Sequence, residues 1–247
     1  MPPTLHDLIK NSDNIVFFGG AGVSTESGLP DFRSEDGLYK AMCAFGRPPE
    51  ELLSHAFFEA HPEIFYDYYT HHLINTEVKP NAAHYALAKL EQAGKLRAVV
   101  TQNIDGLHQQ AGSKTVHELH GSVYRNYCAA CGGNYTLAYV LSPEKQKNGV
   151  PRCDVCGGIV RPDVVLYGEA LNDAVARAAI AAISAADVLI VGGTSLVVYP
   201  AAGLLEYFSG SALALVNKGA TPYDKRADIV IHDSVGAVLS ATVDSIL

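Results

Sequence analysis

The chain has 247 residues, 48% of them hydrophobic and 18% charged, enough for one large domain, or one domain carrying an insertion, around a substantial core. This composition excludes a disordered tail or a fibre. A formal charge of −8 sets the chain against nucleic acid and anionic membrane, so neither is expected as a partner. Residues 1–11 have neither a basic stretch nor an apolar run, and the longest apolar stretch, 185–205, is broken by Gly192, Gly193, Thr194, Ser195 and Pro200. A cytoplasmic protein without a membrane span is expected.

The first element is a short strand at 14–18, β-branched and aromatic, which runs into Gly19-Gly20-Ala21-Gly22-Val23-Ser24-Thr25-Glu26-Ser27-Gly28. Glycines between a strand and a helix let backbone N–H groups approach a diphosphate, although a tight structural turn explains the same residues. Gly20 and Gly22 match the start of the dinucleotide fingerprint. Thr25 stands where its third glycine belongs, and no acidic residue closes a second strand about 20 residues on, which disfavours a hydride-transferring dehydrogenase. In Gly28-Leu29-Pro30-Asp31-Phe32-Arg33, Pro30 stiffens the loop, Phe32 suits a lid, and Arg33 either meets a phosphate or anchors Asp31.

Residues 34–79 are helical in pattern and rich in aromatics, among them Phe57, Phe58, Phe65, Tyr66, Tyr68 and Tyr69, and they read as one insertion; Cys43 within it is a lone thiol. A helix at 82–93 places Ala83, Ala86, Leu87 and Leu90 on one face. A strand at 97–101 then leads to Thr101-Gln102-Asn103-Ile104-Asp105 at its carboxyl end, where open α/β sheets bind ligands. His117-Glu118-Leu119-His120-Gly121 is one residue short of the HExxH zinc motif, leaving His120 as either a general base or a structural histidine.

Residues 122–160 form a second insertion and hold Cys128-x-x-Cys131 and Cys153-x-x-Cys156. Two such pairs can set four thiolates around one tetrahedral zinc, a closed and therefore structural site; two disulfides or a redox pair are the alternatives. An alanine-rich helix at 171–185 capped by Asn172, and strands at 188–191 and 213–216, complete the alternation of a doubly wound α/β parallel sheet. Gly192-Gly193-Thr194-Ser195 and Asn217 end those strands and suit ribose or phosphate contacts as well as ordinary turns. Gly168-Glu169 and Val197-Val198-Tyr199-Pro200 read as short extended segments able to flank an added peptide strand, or as loops packed on the core.

Taken together these segments resemble the sirtuin family of NAD-dependent protein lysine deacylases. Gly20-Ala21-Gly22-Val23-Ser24, Gly28-Leu29-Pro30-Asp31-Phe32-Arg33, Thr101-Gln102-Asn103-Ile104-Asp105, His120-Gly121, the paired cysteines, Arg161-Pro162-Asp163-Val164-Val165, Gly168-Glu169 and Gly192-Gly193-Thr194-Ser195-Leu196 occur in that family's order over nearly the whole chain. The resemblance is to compact bacterial members. It implies a large Rossmann-type domain from about 1–33, 80–121 and 161–247, and a smaller lobe from a helical module (34–79) and a zinc-ribbon module (122–160).

The resemblance also implies roles. Gly20, Ala21, Gly22 and Thr25 hold the dinucleotide, with Asp31, Phe32 and Arg33 closing over it; Gln102, Asn103, Ile104 and Asp105 hold nicotinamide and its ribose. Gly193, Thr194, Ser195, Asn217, Ser234 and Val235 surround the adenosine half. His120 is the general base, with Asn103 and Asp105 positioning nicotinamide and water. Val165, Tyr167, Gly168, Glu169 and Val198 sandwich an acyl-lysine peptide as a strand, and Cys128, Cys131, Cys153 and Cys156 hold structural zinc. NAD is a co-substrate, and nicotinamide, O-acetyl-ADP-ribose and deacetylated lysine are the products of an enzyme expected to be a monomer.

Two departures from the family pattern bear on substrate choice. Tyr167 replaces the usual phenylalanine before Gly-Glu. Members that prefer succinyl or malonyl lysine carry a tyrosine, matched by Tyr66, and an arginine three residues on, where this chain has Tyr69. A buried acyl carboxylate would lack its cation, so deacetylation is expected over desuccinylation. A deacylase for longer apolar acyl groups, a protein ADP-ribosyltransferase of the same fold, and a non-catalytic NAD or ADP-ribose binding module remain as alternatives.

Overall fold

The computed structural model describes residues 3–30, 42 and 44–247; Asp31, Phe32, Arg33 and Cys43 lie outside the described residues. In chain order the first strands are β1 (Ile15–Gly19), β2 (Leu96–Thr101), β3 (Val116–Glu118), β4 (Gly121–Cys128) and β5 (Asn134–Thr136). After them come β6 (Gln146–Lys147), β7 (Val150–Pro151), β8 (Val160–Val164), β9 (Val188–Gly192), β10 (Ala212–Val216) and β11 (Ile229–Ile231).

Six strands form one sheet in the order β11-β10-β9-β1-β2-β3, and every neighbouring pair is parallel. β1 sits near the middle and is buried along its whole length, as a strand covered on both faces must be. Alternate residues serve opposite faces. Ile15 and Phe17 join a cluster with the helices Leu5–Asn11, Ala82–Gln92 and Val235–Asp244, whereas Val16 and Phe18 join one with Asp173–Ala185 and the 3₁₀ segment Ala201–Tyr207. The four strands and the two helices expected from sequence are present, and Asn172 caps its helix by accepting from the Ala174 and Val175 amides. Strands β3 and β11, three residues each, complete the sheet at its edges.

The segment after β1 corrects an expectation. The glycine loop leads into two 3₁₀ turns, Ala21–Val23 and Thr25–Ser27, rather than into an α-helix. What holds it is the neighbouring loop: Gly22 N donates to Gly193 O at 2.8 Å, and Gly193 has φ +59° with a would-be Cβ only 2.3 Å from Val23 N. Only glycine permits that approach.

The aromatic helices His55–Ala60 and Pro62–Tyr68 share a third apolar cluster with the cysteine segment, through Phe57, Phe65 and Tyr66 on one side and Val123, Leu137 and Val160 on the other. There β4 pairs antiparallel with β5 and β8, and β6 with β7. The Tyr66 hydroxyl donates to the Val160 carbonyl and ties the two segments together. Among the described residues no helix is long and apolar enough to cross a membrane.

Two histidines lie in the large sheet's core. His84 and His108 are fully buried with ring centroids 4.7 Å apart. Burial pushes His84 down to about 4, against the pull of Asp105 and Glu26, and His108 down to about 3. Both rings are neutral in the fold and take up protons when it opens. Their contribution to stability is therefore complete above pH 6.5 and is lost as pH falls from there toward 4. Stability measured by urea unfolding should fall by roughly 1.4 kcal/mol per pH unit for each ring across that window, and His108→Leu should halve this histidine component. Equal pH slopes in the two proteins would contradict it.

Candidate functional site

Parallel strands end together, and the cleft lies along their carboxyl ends. It encloses about 520 Å³ between the loops after β1, β2, β9 and β10 and the segment after β8. Of the residues expected there, Gly20, Ala21, Gly22, Thr25, Gln102, Asn103, Ile104, His120, Gly193, Thr194, Ser195, Asn217 and Val235 line it, together with Val165, Tyr167, Gly168, Glu169 and Val198.

His120 occupies the turn between β3 and β4, next to Gly121, whose φ of +80° places a would-be Cβ 1.9 Å from the Asp163 carbonyl oxygen. Its Nδ1 lies 2.9 Å from the Gln102 carbonyl oxygen. A carbonyl only accepts, so Nδ1 carries the proton and Nε2 keeps its lone pair. Burial lowers the His120 pKa below its ordinary value, although the bond to Gln102 pulls the other way. The result is a neutral imidazole at neutral pH, with a basic nitrogen free for proton transfer.

Gln102 does more than orient this ring. Its amide N donates to Gly19 O at 3.0 Å, and its side-chain Nε2 donates to Thr194 Oγ1 at 3.0 Å, so one residue links the ends of β1, β2 and β9. Beside it, Asn103 Nδ2 donates to Ser24 Oγ at 3.0 Å, and Ser24 Oγ donates to Asp105 Oδ2 at 2.7 Å. Asp105 Oδ1 also accepts from Leu107 N at 2.9 Å, at the start of the helix Leu107–Ala111. Ser24 is thus the hub of a relay that the sequence reading did not single out.

Two expected residues lie off the main cleft. Asp105 lines a smaller recess of about 50 Å³ with Ser24, Leu29, Pro30, Asn103 and Ile104. Ser234 caps the helix Val235–Asp244, and its hydroxyl donates to Glu26 Oε1 at 2.6 Å. The lining residues on either side of it are Asp233 and Val235.

The wall after β8 takes the loop alternative. Gly168 lies in a turn with φ +91°, and Tyr199 and Pro200 lie in another turn. At the first, Glu169 folds back onto Arg161, which contacts its two oxygens at 2.7 and 3.0 Å, and accepts from Leu166 N at 2.8 Å. His55 Nδ1 lies 2.8 Å from the same carboxylate. The Arg161 guanidinium also stacks over the Phe58 and Tyr127 rings. Sequence reasoning also missed an apolar wall formed by Pro49, Leu53, Tyr69 and Leu73, since buried aromatics and leucines carry no signal that separates a cleft from a core.

The four sulfurs of Cys128, Cys131, Cys153 and Cys156 lie within 4.8 Å of one another, with Cys128 and Cys156 3.5 Å apart and Cys131 and Cys153 3.6 Å apart. Four sulfurs about 2.3 Å from one tetrahedral zinc sit about 3.8 Å apart, so the donor set fits that ion. Both pairs make the same turn: Gly132 N donates to Cys128 O and Gly157 N to Cys153 O, each at 2.9 Å. The purified protein should carry one zinc per chain by elemental analysis. Replacing Cys128 and Cys131 by Ala should remove it and lower the melting temperature, because metal binding at such a site is coupled to folding. A metal-free wild type of full stability would contradict this.

The Sir2 family model matches residues 20–200. The chain is 59% identical over 239 residues to an NAD-dependent protein deacetylase of Clostridium acetobutylicum, covering 97% of this chain and 96% of that protein. It is 60% identical over 241 residues to an NAD-dependent protein deacetylase of Clostridium perfringens, covering 97% of each. Among solved structures it resembles Sir2 with a p53 peptide and NAD+, at 40% identity and a TM-score of 0.87 over 97% of this chain and 95% of that one. It also resembles a Sir2 variant with deacetylated p53 peptide and 3'-O-acetyl ADP ribose, at 41% identity and a TM-score of 0.89 over 97% and 96%.

Proposed function

The chain belongs to the Sir2 family, the sirtuins, and from that premise we propose that it is an NAD-dependent protein lysine deacetylase. The products are nicotinamide, O-acetyl-ADP-ribose and deacetylated lysine. The observation that carries this reading is the neutral His120, held by Gln102 at the ends of the strands that frame the cleft.

The donor set suits NAD: hydroxyls and amides of Thr25, Gln102, Asn103, Thr194, Ser195 and Asn217 follow one another along the strand ends. In this reading Gly20, Ala21, Gly22 and Thr25 hold the diphosphate and Gly193, Thr194, Ser195, Asn217 and Val235 the adenosine half. Ser234 supports that wall through Glu26, while Asn103, Ile104 and Asp105 hold nicotinamide, with Asp31, Phe32 and Arg33 assigned by sequence alone. Bound NAD supplies an electrophilic ribose carbon with nicotinamide as its leaving group. An acetyl oxygen is a weak nucleophile, so the protein's task is to hold it close to that carbon and dry.

His120 Nε2 accepts the proton of a ribose hydroxyl, and the Gln102 carbonyl stabilises the imidazolium that forms through Nδ1–H. The Asn103–Ser24–Asp105 relay fixes the Asn103 amide beside the recess. Val165, Tyr167, Gly168, Glu169 and Val198 flank the peptide, with the Arg161–Glu169 pair setting the shape of the turn.

The division into a large lobe (1–33, 80–121 and 161–247) and a small one (34–79 and 122–160) belongs to the same proposal, supported by the core that the two insertions share. So do the four-cysteine zinc site and a cytoplasmic monomer.

The test mixes the protein with NAD and an acetyl-lysine peptide and follows nicotinamide and peptide mass. Nicotinamide release should depend on the acetyl group and match loss of the acetyl mass, and His120→Ala should reduce it by at least about 100-fold. ADP-ribose on an acceptor without acetyl loss, or NAD binding without turnover, would replace this reading. The pH profile is a second check. Because burial keeps His120 neutral, kcat/KM should be flat from pH 8 to 7 and fall with one proton only below 6.5; a midpoint above 7 would contradict the assigned base.

A further inference from the structure

His55 is bonded to the turn after β8 and takes no part in the mechanism above. Residues 53–55 run parallel to that turn: Tyr167 N donates to Leu53 O and His55 N donates to Tyr167 O, each at 3.0 Å, with Ser54 and Tyr167 paired as an isolated bridge. Both backbone groups of Tyr167 are therefore used. The next residue differs. Neither the N–H nor the carbonyl of Gly168 has a partner among the described residues, and a Cβ placed on it would meet nothing within 4 Å. Gly168 thus presents unpaired backbone to the open cleft that Tyr167, Gly168 and Glu169 line.

The Glu169 carboxylate holds the far side of this turn. It accepts from Leu166 N at 2.8 Å and from the Arg161 guanidinium at 2.7 and 3.0 Å. Burial alone would raise the Glu169 pKa, but the bonds from Arg161 and the Leu166 amide hold it below its ordinary value, so the group is ionised and only accepts. His55 Nδ1, 2.8 Å from Oε1, is therefore the donor of that pair. Arg161 and Leu166 belong to the same stretch of chain as Glu169. His55 instead opens the helix His55–Ala60, whose Phe57 and Phe58 are anchored in the third apolar cluster. One residue thus clamps both neighbours of Gly168, Tyr167 through its backbone N–H and Glu169 through its ring.

Resting on the deacetylase reading, we propose that His55 is a positioning residue for the peptide substrate, setting the direction in which the unpaired Gly168 backbone meets an added strand. The group recognised is the extended main chain beside the acyl-lysine, because a backbone amide and carbonyl pair with amides whatever the side chains are. In that reading NAD lies along the ends of β1, β2, β9 and β10, away from the Gly168 turn. Loss of the His55 ring bond therefore weakens peptide binding and leaves the dinucleotide and the chemical step alone. The other ring nitrogen faces Glu59 at 3.4 Å on the exposed side of the same helix, an ion pair of little consequence.

The experiment measures binding of a fluorescent acetyl-lysine peptide by anisotropy, with kcat and the KM for NAD alongside. It uses the wild type, His55→Asn, His55→Gln, His55→Leu and Glu59→Gln. The asparagine amide nitrogen takes the place of Nδ1, whereas the glutamine one reaches the place of Nε2. The peptide Kd should rise about tenfold in His55→Gln and His55→Leu, the size of one lost bond to a charged group, and stay within about threefold of wild type in His55→Asn and Glu59→Gln. In every variant kcat at saturation and the KM for NAD should change by less than about twofold. An asparagine variant that binds peptide no better than the glutamine one overturns the inference, a comparison that stands even if His55→Leu does not fold. So does a loss in Glu59→Gln as large as in His55→Gln, or a change in kcat or in the KM for NAD as large as that in peptide Kd, which marks a merely structural role. The expected binding pattern without turnover of the acetyl peptide would instead overturn the deacetylase reading beneath it.

Discussion

The hydrogen bond between His120 Nδ1 and the Gln102 carbonyl is where the sheet, the cleft and the chemistry meet. Gln102 follows the last residue of β2, and its own bonds to Gly19 and Thr194 lock it to the end of β1 and, beyond it, to the loop after β9. On the His120 side, Leu119 N donates to Thr101 O at 2.9 Å and Val165 N to His120 O at 3.0 Å, so the ring is carried between the large sheet and the segment that follows β8. The base is therefore positioned by backbone bonds to two segments, the end of β2 and the stretch after β8. A change in how they meet would move Nε2, which suits a reaction whose two substrates must be brought together before a proton moves.

Electrostatics divides the cleft in two. Along the strand ends, neutral hydroxyls and amides are joined in short relays, Gln102 to Thr194 and Asn103 to Ser24, the second of which ends on Asp105, itself held by the Leu107 amide. Across from the sheet, Arg161, the arginine at the turn, is neutralised by Glu169 and lies over the Phe58 and Tyr127 rings, so it fixes shape rather than attracting charge. A buried pair of this kind adds little net stability, since desolvation offsets most of its attraction. Its value is a defined turn at Gly168, beside the apolar wall of the cleft.

The parts of this arrangement visible in the sequence are those whose physics is local. Strands buried on both faces read as unbroken apolar runs, which is why β1, β2, β9 and β10 stand out, whereas three-residue β3 and β11 take their stability from the neighbour they pair with and leave no pattern of their own. The paired cysteines and the Asn172 cap are equally local. By contrast, the glycine loop gave no sign that Gly193 would hold it in 3₁₀ turns, because that contact joins residues far apart in the chain. Glu169 looked like part of an extended segment for the same reason: its partner Arg161 bends it back. Ser234 caps the last helix as well, a role that its place in the sequence did not set apart from a ligand contact. Tyr69 sits in an aromatic run that any core would produce, and its place on the cleft wall emerges only from the fold.

The most direct test of His120 as the general base is the protonation of its two ring nitrogens, read by NMR on protein labelled with nitrogen-15 histidine, with His120→Ala assigning the signals. At pH 7 the account requires Nδ1 protonated and Nε2 bare, with the second proton arriving only below pH 6.5. A ring protonated on Nε2 at pH 7, or already charged there, would contradict it.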